Sequence, residues 1–116
     1  MFAGVADTHA ALWYLFADPR LSQAARTFID TAAMSSRKVA LSAISVAELV
    51  YLIEKKRIPA SVFDDIRRAL DNPNHVFEEA PFTVRVAEVM RQIPRDAVPD
   101  MPDRIVAATA VFLRVP

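Results

Sequence analysis

The chain has 116 residues, 53% of them hydrophobic and 24% charged, a size and balance that suit one core closed by hydrophobic burial without crosslinks. It contains no cysteine, which excludes a disulfide framework, thiolate zinc sites and a cysteine nucleophile; its single glycine, Gly4, excludes glycine-rich phosphate loops. Fourteen basic and fourteen acidic residues cancel, so no overall positive field draws in nucleic acid, and any such contact must be local.

Residues 2–6 read as a first β-strand that ends at Asp7, and residues 8–16 as a helix. Asp18-Pro19 breaks it, because proline biases the residue before it away from helix. A second helix is predicted from about residue 22 to 34, and a second strand over residues 39–41. Val46, Leu49, Val50 and Ile53 then follow the spacing of one helical face, ending in Lys55-Lys56-Arg57. After Ile58-Pro59, the residues Val62, Phe63, Ile66, Ala69 and Leu70 mark another amphipathic helix, stopping before Asn72-Pro73. Residues 76–80 form the third strand candidate. Phe82, Val86, Val89, Met90 and Ile93 share one more helical face, and Pro94 and Pro99 bracket a loop. The last helix starts near Pro102, a favourable first-turn residue since its missing N–H would have had no helical partner. Residues 105–113 are apolar nearly all round, interrupted only by Thr109, which predicts a central, buried helix.

Short strands alternating with helices are the pattern of an α/β fold with a parallel sheet. The N-terminus has no basic segment before its apolar run, unlike a signal peptide, and no apolar run approaches the ~20 residues of a membrane helix. The expectation is a cytoplasmic chain with no membrane association.

Three acids fall where such folds build sites, at the carboxyl ends of parallel strands. Asp7 closes the first strand, Glu48 follows the second, and Asp103 opens the last helix. Carboxylates brought together repel one another and lose hydration, and a hard divalent cation relieves both costs. Its bound water could attack a phosphodiester, so no nucleophilic side chain is needed. Each acid also has a structural reading. Ser45-x-x-Glu48 fits a capping box, Asp7 suits an N-cap, and Asp103 complements a positive helix end. Singly, each is more readily a cap than a ligand; their shared placement reverses that preference.

Three segments carry a resemblance: Val5-Ala6-Asp7-Thr8-His9-Ala10-Ala11-Leu12-Trp13, Leu41-Ser42-Ala43-Ile44-Ser45-Val46-Ala47-Glu48-Leu49, and Asp100-Met101-Pro102-Asp103-Arg104-Ile105-Val106-Ala107-Ala108-Thr109-Ala110. In order and spacing the chain resembles the PIN-domain family, specifically the VapC-like toxins of type II toxin–antitoxin systems. The resemblance implies a three-layer α/β/α sandwich around a central parallel sheet. It also implies RNA hydrolysis with Mg²⁺ or Mn²⁺, homodimerisation, and inhibition by a small antitoxin protein. By the same resemblance Asp7, Glu48 and Asp103 are the metal-binding and catalytic acids, Asp100 is an additional metal-binding acid, and Ser42 is a small hydroxyl residue near the cluster, which equally suits a turn closing the strand. The family continues into a fourth strand, a further acid and an edge strand. Here the last helix feeds only Arg114-Val115-Pro116, so residues 1–116 are expected to form one PIN-like domain lacking its C-terminal strands.

Arg104 is a candidate phosphate contact or the partner of a nearby acid. Lys55-Lys56-Arg57 reads first as complementing a negative helix end, and Arg67-Arg68 and Arg37-Lys38 as solvated faces. Neither His9 nor His75 has the spacing of a zinc site. Trp13, Tyr14 and Phe16 read as core or interface residues rather than base-stacking platforms. Two other functions stay open: a catalytically weak PIN scaffold that binds protein, and a related DNA nuclease.

Overall fold

The computed structural model describes residues 2–116, in the order β1 (Phe2–Ala6), α1 (Thr8–Leu15), α2 (Gln23–Met34), β2 (Lys38–Ser42), α3 (Ala43–Glu54), α4 (Ser61–Asp71), β3 (Phe77–Ala80), α5 (Val84–Met90) and α6 (Met101–Leu113). Among the described residues the strands form one parallel sheet in the order β1-β2-β3. The register pairs Ala6 with Leu41 and Ser42 with Ala80, so the carboxyl ends of all three strands lie along one edge.

Side chains alternate along a strand, so each residue of β2 commits to one face. Val39 and Leu41 share a face with Gly4, Ala6 and Phe77 across the ladder. There they join one apolar cluster with Ala11 and Leu12 of α1, Ile29 and Ala32 of α2, and Val62 and Ile66 of α4. On the other side α6 packs on β1 and β2, and α5 packs on α6. Helices therefore cover both faces, the expected three layers. Because β2 is covered above and below, Val39, Ala40, Leu41 and Ser42 are all at most 1% exposed.

Gly4 is required by packing. A Cβ at this position would stand 2.9 Å from the ring of Phe28, so only glycine lets α2 lie this close to β1. The helices start where side-chain oxygens can meet unpaired backbone N–H groups: Asp7, Ser22, Ser42, Thr83 and Asp100 cap every helix but α4. Tyr14 belongs to the core, as its sequence position suggests. Its ring meets Phe77 edge-on at 5.7 Å, and its hydroxyl donates to Asp30 at 2.6 Å, tying α1 to α2. Burial, and then the Asp30 carboxylate, push the phenol up to about 12, which keeps it a donor at neutral pH.

Two expectations change. The fifth helix is shorter than its apolar pattern suggests: α5 ends at Met90, and turns rather than helix carry the chain to Pro94. The last helix is not buried all round. Ile105, Ala108 and Thr109 face inward, with the Thr109 hydroxyl donating to the Ile105 carbonyl at 2.7 Å, but Val111 is 52% and Phe112 40% exposed. An apolar sequence says that a helix tolerates burial; what covers it is decided by neighbours. After α6, Arg114 takes a left-handed conformation (φ 59°) and Val115 N–H bonds the Ala110 carbonyl, turning Pro116 back towards Gly4. No further strand follows among the described residues, so β1 is an edge of the sheet.

Candidate metal and nuclease site

Asp7 is the first residue after β1. Its extended backbone (φ −79°, ψ 173°) turns the chain into α1, and its Oδ1 accepts the Ala10 N–H at 2.7 Å. Asp100 plays the same part for α6, its Oδ2 accepting the Asp103 N–H at 3.0 Å, which fixes Asp103 in the first turn. Asp7 and Asp103 line one open cleft of about 310 Å³, with Val5, Val106 and Ala107 as its apolar wall.

Glu48 reaches the same edge from α3. Its Oε1 accepts the hydroxyl of Thr8 at 2.6 Å, and Thr8 is the buried neighbour of Asp7. The capping box proposed for Ser45 and Glu48 does not form. Helix α3 begins three residues earlier, with Ser42 as its cap, so Ser45 already lies inside the helix and Glu48 in the second turn. Glu48 is thereby released from a local structural task and faces Thr8 instead.

The electrostatics record this convergence. The Asp103 carboxyl is held above its ordinary range by desolvation first, then by the charges of Asp100, Glu48 and Asp7, with His9 partly offsetting them. Four acids from three stretches of chain thus feel one another, and a cation is what the group lacks. All the donors are oxygens, as a hard divalent ion prefers. Asp7, Glu48 and Asp100 each commit one carboxylate oxygen to a hydrogen bond and leave the other without one among the described residues. As placed, no three His, Asp or Glu side chains among the described residues form a ready-made cage. The residues fit such an ion in donor type and mutual charge, and ion binding would have to draw the acids closer.

The supporting residues divide. Ser42, fully buried, ends β2 and caps α3 by accepting the Ile44 N–H at 3.2 Å, which is the turn role. Arg104 is turned away from phosphate duty: its Nη2 donates to the carbonyls of Met90 and Ile93, at 3.0 and 3.1 Å, and so closes the end of α5 against α6. Sequence reasoning missed Thr8 and His9. Both follow Asp7 directly, and a polar residue at the start of an otherwise apolar helix was the available signal. His75 takes a structural part, its Nδ1 accepting the Phe77 N–H at 3.0 Å.

The sequence pattern of the PIN domain matches residues 5–115. The chain belongs to the PIN domain family. PIN domains are generally nucleases, and such nucleases typically use a divalent metal. In fold, this PIN domain is similar to a chain in the crystal structure of VapBC2 from Rickettsia felis bound to a DNA fragment from their promoter. The TM-score is 0.65 at 16% identity, over 99% of this chain and 84% of that one. No curated protein sequence matches it.

Within this PIN domain the Thr8–Glu48 bond is the contact that places an acid from α3 beside β1. A Thr8→Val variant keeps the shape and removes the donor. It is expected to lose on the order of 1.5–3 kcal/mol in urea unfolding, the usual worth of a hydrogen bond to a charged group. An unchanged midpoint would mean that the bond does not hold Glu48.

Proposed function

We propose that this chain is a metal-dependent endoribonuclease of the VapC-like toxin kind. In this reading Asp7, Glu48 and Asp103 hold Mg²⁺ or Mn²⁺, with Asp100 in support. When bound, the ion would supply an activated water and stabilise charge on the phosphate of an RNA strand. The acids themselves position the ion, and Asp7 and Asp100 keep their helix starts rigid beneath it. The reading rests on one observation: Asp7, Glu48 and Asp103, distant in sequence, meet at the carboxyl edge of a parallel sheet, with Asp7 and Asp103 lining one cleft and Thr8 tethering Glu48. That the similar fold comes from a VapBC2 structure supports an antitoxin as inhibitory partner. Homodimerisation and a cytoplasmic location complete the proposal, with residues 1–116 acting as one domain.

Purified protein is expected to cleave RNA with Mg²⁺ or Mn²⁺ and to stop in EDTA. Asp7→Asn should abolish the cleavage, and full activity in that variant would sink the site. The absence of a preformed three-acid cage among the described residues favours a second reading, a catalytically weak scaffold that binds protein. Cleavage in neither metal, together with tight binding of the antitoxin, is the result that would select it. Parallel assays on DNA separate the ribonuclease from a related DNA nuclease.

A further inference from the structure

Beside the carboxylates, between α1 and the α3–α4 hairpin, lies a cavity of about 670 Å³, within the ~300–1,000 Å³ usual for small-molecule sites. Glu48 and His9 line its side nearest the acids, so the cavity is continuous with the proposed metal site. Its walls include Trp13 and Phe16 from the α1 side and Tyr51 from α3, with Phe16 50% and Tyr51 56% exposed. The aromatic residues at 13 and 16 are thus not closed into the core, as the sequence suggested; only Tyr14 is.

The charges around the cavity sort themselves. Asp18 forms an ion pair with Arg20 at 2.7 Å, which holds the Asp18 carboxyl down at about 2, and Arg20 lies 5.3 Å from the centre of the Trp13 ring. Asp65 is paired with Arg68. Arg57 lines the same cavity, is exposed, and pairs with no acid among the described residues. Aromatic faces, a free guanidinium and a neighbouring acid cluster are what one unstacked nucleotide requires: a surface for the base and a cation for its phosphate.

Resting on the nuclease reading above, we infer that this cavity takes a single unpaired nucleotide flanking the scissile phosphate, its base against Tyr51 and Phe16 and its backbone near Arg57. A base held in a duplex cannot enter without leaving its stack, so the substrate is single-stranded or looped RNA.

Trp13 is the only tryptophan in the chain and lines the cavity, so its fluorescence reports occupancy without any need for cleavage. The intact protein in EDTA would be titrated with a short single-stranded RNA and with the same sequence as a duplex. The single strand is expected to change Trp13 emission saturably, the duplex to do so at least tenfold more weakly. Tyr51→Ala and Arg57→Ala, both at exposed positions, should each weaken single-strand binding about fivefold or more. Equal responses to strand and duplex, unchanged affinity in both variants, or a Trp13 response confined to an antitoxin protein would each overturn the assignment. Because no metal is present, failure of catalysis and failure of this pocket are separate results: active protein that shows no RNA-dependent Trp13 signal refutes the pocket alone.

Discussion

Asp103→Asn is expected to cut metal-dependent RNA cleavage on the order of 100-fold while leaving the metal-free protein at least as stable as the parent. The two effects have one cause. Desolvation and the charges of Asp100, Glu48 and Asp7 all disfavour the ionised form of Asp103, so at neutral pH its charge costs the fold something. A neutral amide removes that cost and keeps the size of the side chain. The sign follows from the raised folded-state pKa: the contribution of Asp103 to stability is fully present below its ordinary carboxyl range and is lost as pH rises through the folded value. The same substitution takes a charged ligand from any divalent ion. Loss of one such interaction worth about 2.7 kcal/mol in the transition state corresponds to the 100-fold drop. Thermal unfolding with and without Mg²⁺ separates the two arms. The parent, at an ion concentration ten times its Kd, should gain about 1.4 kcal/mol, a rise of a few degrees in Tm, and the variant should lose most of that gain. A variant that melts lower in EDTA and still gains fully from Mg²⁺ would show that Asp103 is a structural residue.

The architecture was legible because periodicity is a local property. Alternation and helical spacing located three strands and six helices, and the acids were legible as a set because each follows a strand or opens a helix. The failures came where distant residues decide. Ser45-x-x-Glu48 satisfies the pattern of a capping box, but Ser42 lies just upstream and its hydroxyl captures the Ile44 N–H, moving the helix start and freeing Glu48 for Thr8, 40 residues away. No sequence pattern encodes that choice. Arg104 reads as a phosphate contact from its place after Asp103, yet two carbonyls at the end of α5 claim its guanidinium. Trp13, Tyr14 and Phe16 are neighbours in sequence and chemically alike, and their fates diverge because the helix turns them to different surroundings: Tyr14 towards Phe77 and Asp30, the other two towards a cavity.

Phe77→Ala is expected to destabilise the chain by about 3–5 kcal/mol, a large share of the ~5–15 kcal/mol that holds a domain together. Phe77 is only 1% exposed and is the largest of the fully buried side chains among the described residues. Its loss opens a cavity under Tyr14, whose ring it meets edge-on and whose hydroxyl bridges α1 to α2. The consequence reaches the site, because α1 carries Thr8 and begins at Asp7. Phe77→Leu refills most of the volume and should cost well under half as much. A urea midpoint that falls in Phe77→Ala without a change of slope would confirm a loss of stability and not of compactness; a loss below about 1 kcal/mol would contradict the packing described. His75 adds a pH dependence to the same strand. Burial first, then the Lys38 charge, lower its pKa below 6.5, keeping the ring neutral as the acceptor of the Phe77 N–H. A depressed histidine contributes stability that is present above its unfolded value and is lost as pH falls, so the parent should weaken steadily from about pH 6.5 downward. Because the ring must protonate against Lys38 and give up its bond to the backbone of β3, His75→Gln, which cannot take up a proton, should flatten that part of the profile.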